Sequence, residues 1–325
     1  MILAGDVGGT KTLLGLFEPD ARRPRPVAIH KYPTTEFDSF TAILDAFARD
    51  AGVAVDVDAA AADVAGPVVA DRATLTNIAW DVSAAEMTRR FGVTRVQLLN
   101  DLEAMGYGAG VLTPDEVVVL QEGVMRTDGN AVVIAAGTGL GEAYLHRVNG
   151  RMTPLPSEGG HADFAPRTDR EIEFLKMMRA DYGRAEFDQV LSGPGLINLH
   201  RFTHGGAVCE PLRGVPPEKG PAAVSQAAMA GTCAACMEAL SMFVSLYGAE
   251  AGSLALRGVA TSGVYIGGGI APKILPALQD GRFMDAFRAK GVMAELVAKI
   301  PVKVILNPES GLIGAAVAAQ EMLTR

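Results

Sequence analysis

The chain of 325 residues is poor in cysteine, aromatic rings and long apolar runs. Three cysteines, an odd number, point to free thiols in a reducing compartment rather than to a disulfide framework. No stretch of sequence approaches the ~20 apolar residues that a membrane span needs. Met1 opens directly into the strand-like "MILAGD", without the basic region of a secretory leader, so the expectation is a cytoplasmic protein. Basic residues are also outnumbered: 29 Lys and Arg stand against 37 Asp and Glu, for a net charge of −8. That balance argues against a nucleic-acid or membrane-surface binder, which needs clustered positive charge. It leaves room for a small anion gripped by backbone N–H groups. What is present is globular, 49% hydrophobic and 20% charged, and long enough for two domains.

"MILAGD", "TLLGLF" and "PVAIHKYPT" read as an antiparallel meander. Phe40, Ile43, Leu44 and Phe47 recur at helical spacing, and Gly52 follows as a stop. "AAADVAG" and "RVQLLND" are short apolar strands, and Ser83 with Glu86 forms a capping-box pattern. The opening pattern then returns. "AVVIAAGTGLGEAYLHRVNGRMTPL" reads as strand, glycine turn, strand, Asn149-Gly150 turn, strand. Two such meanders suggest a duplicated domain. Thr168 with Glu171 makes a second capping box, and an alanine-rich helix is expected from about Pro221 to Tyr247. "GVYIGGGIAPKIL" predicts a strand, three glycines and a helix with Pro272 in its first turn; "VKVIL" and "GLIGAAVAAQEML" close the chain as strand and helix.

Three stretches have the small residues that let backbone N–H groups reach a phosphate: Gly8-Gly9-Thr10, Gly137-Thr138-Gly139 and Gly267-Gly268-Gly269. Each follows an apolar strand, and the third is expected to enter a helix N-terminus. The Walker pattern is missing, and "GTGLGE" fails the dinucleotide fingerprint because Glu142 replaces the last glycine. For any one stretch a plain turn is the competing reading. Asp6 ends the first strand beside the first turn. A carboxylate there repels phosphate unless a cation intervenes, which points to Mg²⁺ held through water; a turn-capping aspartate is the alternative.

"LLND" ends an apolar strand at Asn100-Asp101, and such a pair can grip a polyol or take a proton from an attacking hydroxyl. The pair also suits a helix N-cap. "SEGGHADF" aims Glu158 and His161 from a glycine turn; a metal site there lacks a second histidine, and a solvated loop is the plain alternative. Cys233-x-x-Cys236 has no second pair or matching histidine in a zinc-like spacing and reads as helix thiols. Trp80 reads as packing.

Taken in order, "GDVGGT", "LLNDLEA", "GTGLG", "EGGHADFAP", "LSGPGLINL" and "GVYIGGGIAPK" resemble the bacterial glucokinase family, within the hexokinase–actin–heat-shock chaperone superfamily. The resemblance runs along nearly the whole chain. It implies an α/β fold of two ribonuclease-H-like domains with a central cleft, with residues 1–110 plus 303–325 forming a small domain and 111–302 a large one. It implies ATP and Mg²⁺ as donor and cofactor, a hexose as partner, a homodimer, and no nucleic acid or membrane. By motif, Gly5, Asp6, Val7, Gly8, Gly9 and Thr10 would lie on the ATP phosphates. Thr138 and Gly139 would form the second phosphate turn, and Gly268 and Gly269 would line the nucleoside. Asn100, Asp101, Glu158 and His161 would hold glucose, with Asp101 as base for the 6-hydroxyl. The family's further sugar-touching glutamate falls on Asp188 here, one methylene shorter, with Glu186 nearby. Ser157 and Lys11 also depart from the usual glycine and asparagine. Mannose or fructose as acceptor, polyphosphate as donor, a sugar-independent ATPase and a non-catalytic sugar sensor stand as the alternatives. The cysteine-rich zinc motif of the related repressor–ORF–kinase family is absent.

Overall fold

The computed structural model describes residues 1–52, 57–66, 68–75, 80–148 and 150–324. The chain divides into two compact units: Met1–Pro114 with Met152–Pro156 and Asn307–Arg325, and Asp115–Arg151 with Ser157–Leu306.

The first unit begins with the meander β1 (Ile2–Val7), β2 (Lys11–Glu18) and β3 (Arg25–Pro33). Helix α1 (Phe40–Asp50) follows, N-capped by the Ser39 hydroxyl, and its apolar stripe is buried as the periodicity predicts. Then come β4 (Ala59–Val64) and a small antiparallel sheet of β5 (Val68–Val69), β6 (Arg72–Thr74) and β7 (Asp81–Ser83). Helix α2 (Ala84–Phe91) carries the expected Ser83/Glu86 capping box. Strand β8 (Val96–Asn100) runs into α3 (Asp101–Ala109). The main sheet has the order β3-β2-β1-β4-β8, antiparallel on the meander side and parallel from β1 onward. Trp80 packs against the apolar cluster on the α1 side of this sheet, the structural role expected of it.

The second unit repeats that pattern. Its strands are β9 (Val117–Gln121), β10 (Ala131–Ala136) and β11 (Leu140–Val148); β12 (Arg151–Ser157) joins the edge of the same sheet, although Met152–Pro156 is grouped with the first unit. Of the expected Asn149-Gly150 turn, Asn149 lies outside the described residues. Helices α4 (Asp169–Tyr182), α5 (Gly193–Thr203), α6 (Gly220–Met229) and α7 (Ala234–Gly258) follow. Next are β13 (Gly263–Gly267), the short helices α8 (Leu275–Leu278), α9 (Arg282–Arg288) and α10 (Ala294–Val297), and β14 (Val302–Ile305). Its sheet runs β12-β11-β10-β13-β14-β9, so an antiparallel meander again leads into parallel strands. Both units thus have ribonuclease-H-like topology, and the final helix α11 (Ser310–Met322) belongs to the first.

Three local expectations are corrected. The alanine-rich helix is two helices, broken where Gly231 takes a φ of +68°. Helix α7 then runs on to Gly258; it is long and apolar enough to cross a membrane, yet much of it is buried in the second unit's core. After Gly267-Gly268-Gly269 there is only a 3₁₀ turn, Ala271–Ile274, and the four residues of α8. Pro272 and Pro276 stand four apart, and Pro276 has no N–H to bond the Pro272 carbonyl, so a continuous α-helix cannot form. At α4, Thr168 accepts from the Glu171 N–H, but the Glu171 carboxylate turns to Arg167, so the box is half made.

Helices α3 and α11 pack on one face of the first sheet, against Ile2, Ala4, Ala59 and Ala61. They approach closely because Gly108 and Gly314 have no side chains. A Cβ on Gly314 would collide with the Ala104 carbonyl, and one on Gly108 with that of Ser310. Gly314→Ala is expected to destabilise the first unit by about 1–3 kcal/mol or more, the cost of overpacking. A lower urea midpoint at unchanged m-value checks this; an unmoved midpoint would contradict the packing.

Candidate active site

In the first unit the parallel strands β1, β4 and β8 end at one edge. Asp6 pairs with Asp63 across β1 and β4, and Asp63 with Leu99 across β4 and β8. In-register neighbours of a sheet project to the same face, so Asp6 and Asp63 point to the same side. The next residues, Asn100 and Asp101, leave β8 at that edge.

The turn after β1 is braced from below. The Gly8 N–H donates to the Lys11 carbonyl at 3.0 Å. The Thr34 hydroxyl donates to the Gly8 carbonyl at 2.8 Å and lies 2.9 Å from the buried Thr12 hydroxyl. The Thr34 N–H also holds the Thr10 carbonyl at 3.0 Å. With the Gly8 and Thr10 carbonyls occupied from within, the turn leaves Gly8 and Gly9 partly exposed and Thr10 exposed.

Asn100 is the N-cap of α3: its Oδ1 accepts from the Leu102 N–H, and its own N–H donates to Glu103. The N-cap reading therefore holds, and Asp101 falls in the helix's first turn. One Asp101 oxygen accepts from the Leu102 N–H at 2.9 Å. Burial raises the Asp101 pKa, against the pull of that hydrogen bond, and the Asp6 charge raises it further. Asp101 is thus a stronger base than a free aspartate. The Asp6 carboxyl is likewise raised by burial, with Lys11 opposing and Glu309 adding to it.

Asp63 is the residue that the sequence reading passed over. It is 2% exposed, and its Oδ2 has no hydrogen-bond partner among the described residues. Gly311 of α11 faces it, with a Cβ position 3.3 Å from that oxygen. Burial, then the charges of Asp6 and Asp101, hold its pKa well above the carboxylate range. The signal was available: "AAADV" ends an apolar strand in one acidic residue, as "MILAGD" does.

In the second unit the Gly137-Thr138-Gly139 turn follows β10. The Gly193 N–H at the start of α5 donates to the Gly137 carbonyl at 2.8 Å. The Leu140 N–H donates to Asp188 Oδ1 at 2.7 Å, and the Asp188 N–H to the Gly160 carbonyl at 2.7 Å. Asp188 therefore ties the glycine turn to the "EGGH" turn. Gly268, at a φ of +82°, lies so close to Ala136 that any Cβ would strike its carbonyl. Tyr247, fully buried, donates toward the Ile134 and Gly267 carbonyls and accepts from the Ala136 N–H, so it seats the strand ends that carry both turns. It too went unnoticed, because a tyrosine in an apolar helix looks like ordinary core.

Glu158 and His161 bracket a short 3₁₀ turn. His161 Nδ1 lies 2.7 Å from Glu186 Oε2, a bond that raises the histidine pKa, and Arg184 holds the other Glu186 oxygen at 3.3 Å. Below them Glu142 is buried, 3.6 Å from Arg257. Burial and the neighbouring Glu250 push its pKa up to about 8. The residues expected from the sequence thus form two groups. Asp6, the Gly8–Thr10 turn, Asn100 and Asp101 share one strand edge of the first unit. Thr138, Gly139, Glu158, His161 and Asp188 are linked through the loops of the second, with Gly268 and Gly269 following the adjacent strand β13.

This is the architecture of the sugar kinases of the actin-like ATPase fold. A glucokinase of the ROK family from Streptomyces griseus, solved with glucose and AMPPNP, shares it with a TM-score of 0.63 over 98% of this chain and 99% of that one, at 21% identity. A glucokinase from an Antarctic psychrotroph superposes with a TM-score of 0.87 over 98% of both chains, at 30% identity. The curated glucokinase of Nostoc sp. is 35% identical over 340 residues, covering 99% of each chain. A family model described as Glucokinase matches residues 3–322. The chain belongs to the glucokinase family.

The Asp63 carboxyl gives a pH signature. Its pKa is higher folded than unfolded, so it favours the native state below about pH 4 and progressively less as pH rises toward the folded value. Asp63→Asn, which removes the titration, is expected to lessen the fall in Tm as pH rises above about pH 4. Parallel Tm-against-pH curves for variant and wild type would show that Asp63 ionises freely.

Proposed function

We propose that the protein transfers the terminal phosphoryl group of ATP to the 6-hydroxyl of D-glucose, giving ADP and glucose 6-phosphate. The observation that supports this most is the shared strand edge of the first unit, which sets a carboxylate base on the same edge as the glycine turn. Membership of the glucokinase family supports the substrate pair.

In this reading the N–H groups of Gly9 and Thr10 hold phosphate oxygens, Gly8, whose own N–H is bound to the Lys11 carbonyl, keeps the turn tight beside them, and Gly5 and Val7 shape the strand that carries the turn. Thr138 and Gly139 of the second unit hold phosphate likewise, and Gly268 and Gly269 line the nucleoside. Asn100, Asp101, Glu158, His161 and Asp188 hydrogen-bond the sugar hydroxyls. Asp188 Oδ1 is engaged by Leu140, so Oδ2 is the oxygen that would reach the sugar. Glu186 acts through His161, whose ring it orients.

Asp101 takes the proton of the 6-hydroxyl as that oxygen bonds to the terminal phosphorus, and the bond from phosphorus to the ADP oxygen breaks. The transition state of phosphoryl transfer is loose, so alignment and charge neutralisation count for more than base strength. The raised Asp101 pKa still helps, because a stronger base accepts the proton more readily. Burial of Asp63 behind it favours that carboxyl's neutral form and so disfavours a second negative charge at that edge.

The donor set suits Mg²⁺. Asp6 is a hard oxygen ligand beside the glycine turn, and its ionisation is disfavoured by burial and by Glu309 until positive charge is supplied. Asp6 would hold the ion through water, and the ion would neutralise charge on the ATP phosphates.

A coupled ADP-release assay tests the proposal. Glucose should drive ADP release, with little release when no sugar is present and less with mannose or fructose. Asp101→Asn and Asp101→Ala should each lower kcat by roughly 10²–10⁴-fold, the usual worth of a positioned base, with ATP affinity within a few-fold of wild type. ADP release indifferent to sugar, or near-normal turnover in both variants, would overturn it.

A further inference from the structure

Away from these residues, the second unit gathers donors that the sequence pattern kept apart. Cys233-x-x-Cys236 has no zinc partner at any usual spacing, and it reads as a pair of helix thiols. The fold corrects this. His200 lies in the last turn of α5, and His204 caps that helix four residues on. Cys209 follows in the next loop, Cys233 is the N-cap of α7, and Cys236 sits in its first turn. The ligand atoms of His200, His204, Cys209 and Cys236 all lie within 4.8 Å of one another. His200 Nε2 is 3.2 Å from Cys209 Sγ, and Cys209 Sγ is 3.6 Å from Cys236 Sγ. Zn–S and Zn–N bonds of about 2.3 and 2.0–2.1 Å imply tetrahedral edges of about 3.3–3.8 Å, close to the 3.2 and 3.6 Å of those two pairs.

We infer that His200, His204, Cys209 and Cys236 form a structural site for a zinc-class divalent cation, which clamps the end of α5 to the start of α7. Two neutral imidazoles and two thiolates balance a doubly charged ion, and all four positions are filled by protein, as in structural rather than catalytic zinc sites. The supporting shell is in place. His204 Nδ1 faces the His200 carbonyl at 3.0 Å, so that nitrogen carries the proton and Nε2 keeps its lone pair. The Thr203 hydroxyl donates to the Ala235 carbonyl at 2.9 Å, joining the same two helices. Cys233 Sγ stands 3.2 Å from His204 Nε2 but outside the four-membered set, as an outer neighbour.

The site fastens the segment between residues 204 and 236, which includes α6. It also fixes the far end of the helix whose first N–H holds the Gly137 carbonyl. None of its ligands belongs to the residues assigned to ATP or sugar, so the cation acts on the scaffold and not on the chemistry.

Untagged protein expressed with zinc and purified without chelator should carry about one zinc per chain. Stripping it with a strong chelator under reducing conditions should lower Tm by roughly 5–10 °C, and added zinc should restore it. Cobalt in place of zinc should give the visible absorption of tetrahedral, thiolate-bound metal. Cys209→Ser and Cys236→Ser should each lose that spectrum, whereas Cys233→Ser should keep it together with full stoichiometry. The wild-type measurements stand even where a variant fails to fold. Folded, reduced wild-type protein that neither contains the metal nor takes it from a chromophoric chelator would overturn the inference, as would a Cys209–Cys236 disulfide in protein purified under reducing conditions. Loss of the metal in Cys233→Ser alone would overturn this ligand set.

Discussion

The first unit depends on one electrostatic constraint: three aspartates stand near one another at the ends of three parallel strands. Asp6 and Asp63 are held in register by β1 and β4, and Asp101 follows directly from β8. Three buried carboxylates cannot all ionise so close together without positive charge. The structure buries Asp63 most deeply, which favours its neutral form, while Asp6 and Asp101 stay partly exposed. An edge that disfavours its own negative charge is suited to a cation-bound polyphosphate and to a base that must accept a proton during reaction.

Close packing keeps that edge in place. Helix α11 leaves the second unit's last strand and returns to cover the first sheet, where Gly311 passes over Asp63 and Gly314 meets α3 backbone to backbone. Helix α3 is the element whose first turn carries Asp101. Its position therefore depends on a glycine contact more than 200 residues away in sequence. In the second unit the analogous work falls to polar ties: Tyr247 under β10 and β13, Gly193 on Gly137, and Asp188 on Leu140 and Gly160.

Much of the fold was legible from local pattern. Alternation and glycine turns marked both meanders, helical spacing marked α1, and Ser83 with Glu86 marked the start of α2. The misread segments share a physical reason. Pro272 with Pro276, and Gly231, act against neighbours a few residues away that composition alone does not weigh. Among site residues, those on distinctive turns could be named, since glycine next to a polar residue is an informative combination. Asp63 carried the same acidic strand-end signal as Asp6 without a glycine turn beside it, and Tyr247 carried none, because its importance comes from what lies across the sheet. The histidine–cysteine cluster shows the same limit most clearly. His200 and His204 share a helix face, but only the packing of α5 on α7 brings Cys209 and Cys236 to them.

A crystal structure with glucose and a non-hydrolysable ATP analogue bound tests the central claim most directly. The account predicts the sugar's 6-hydroxyl oxygen within about 2.6–3.2 Å of an Asp101 oxygen, with the terminal phosphate on the N–H groups of Gly9 and Thr10. A 6-hydroxyl turned away from Asp101, or phosphates seated away from that turn, would contradict it.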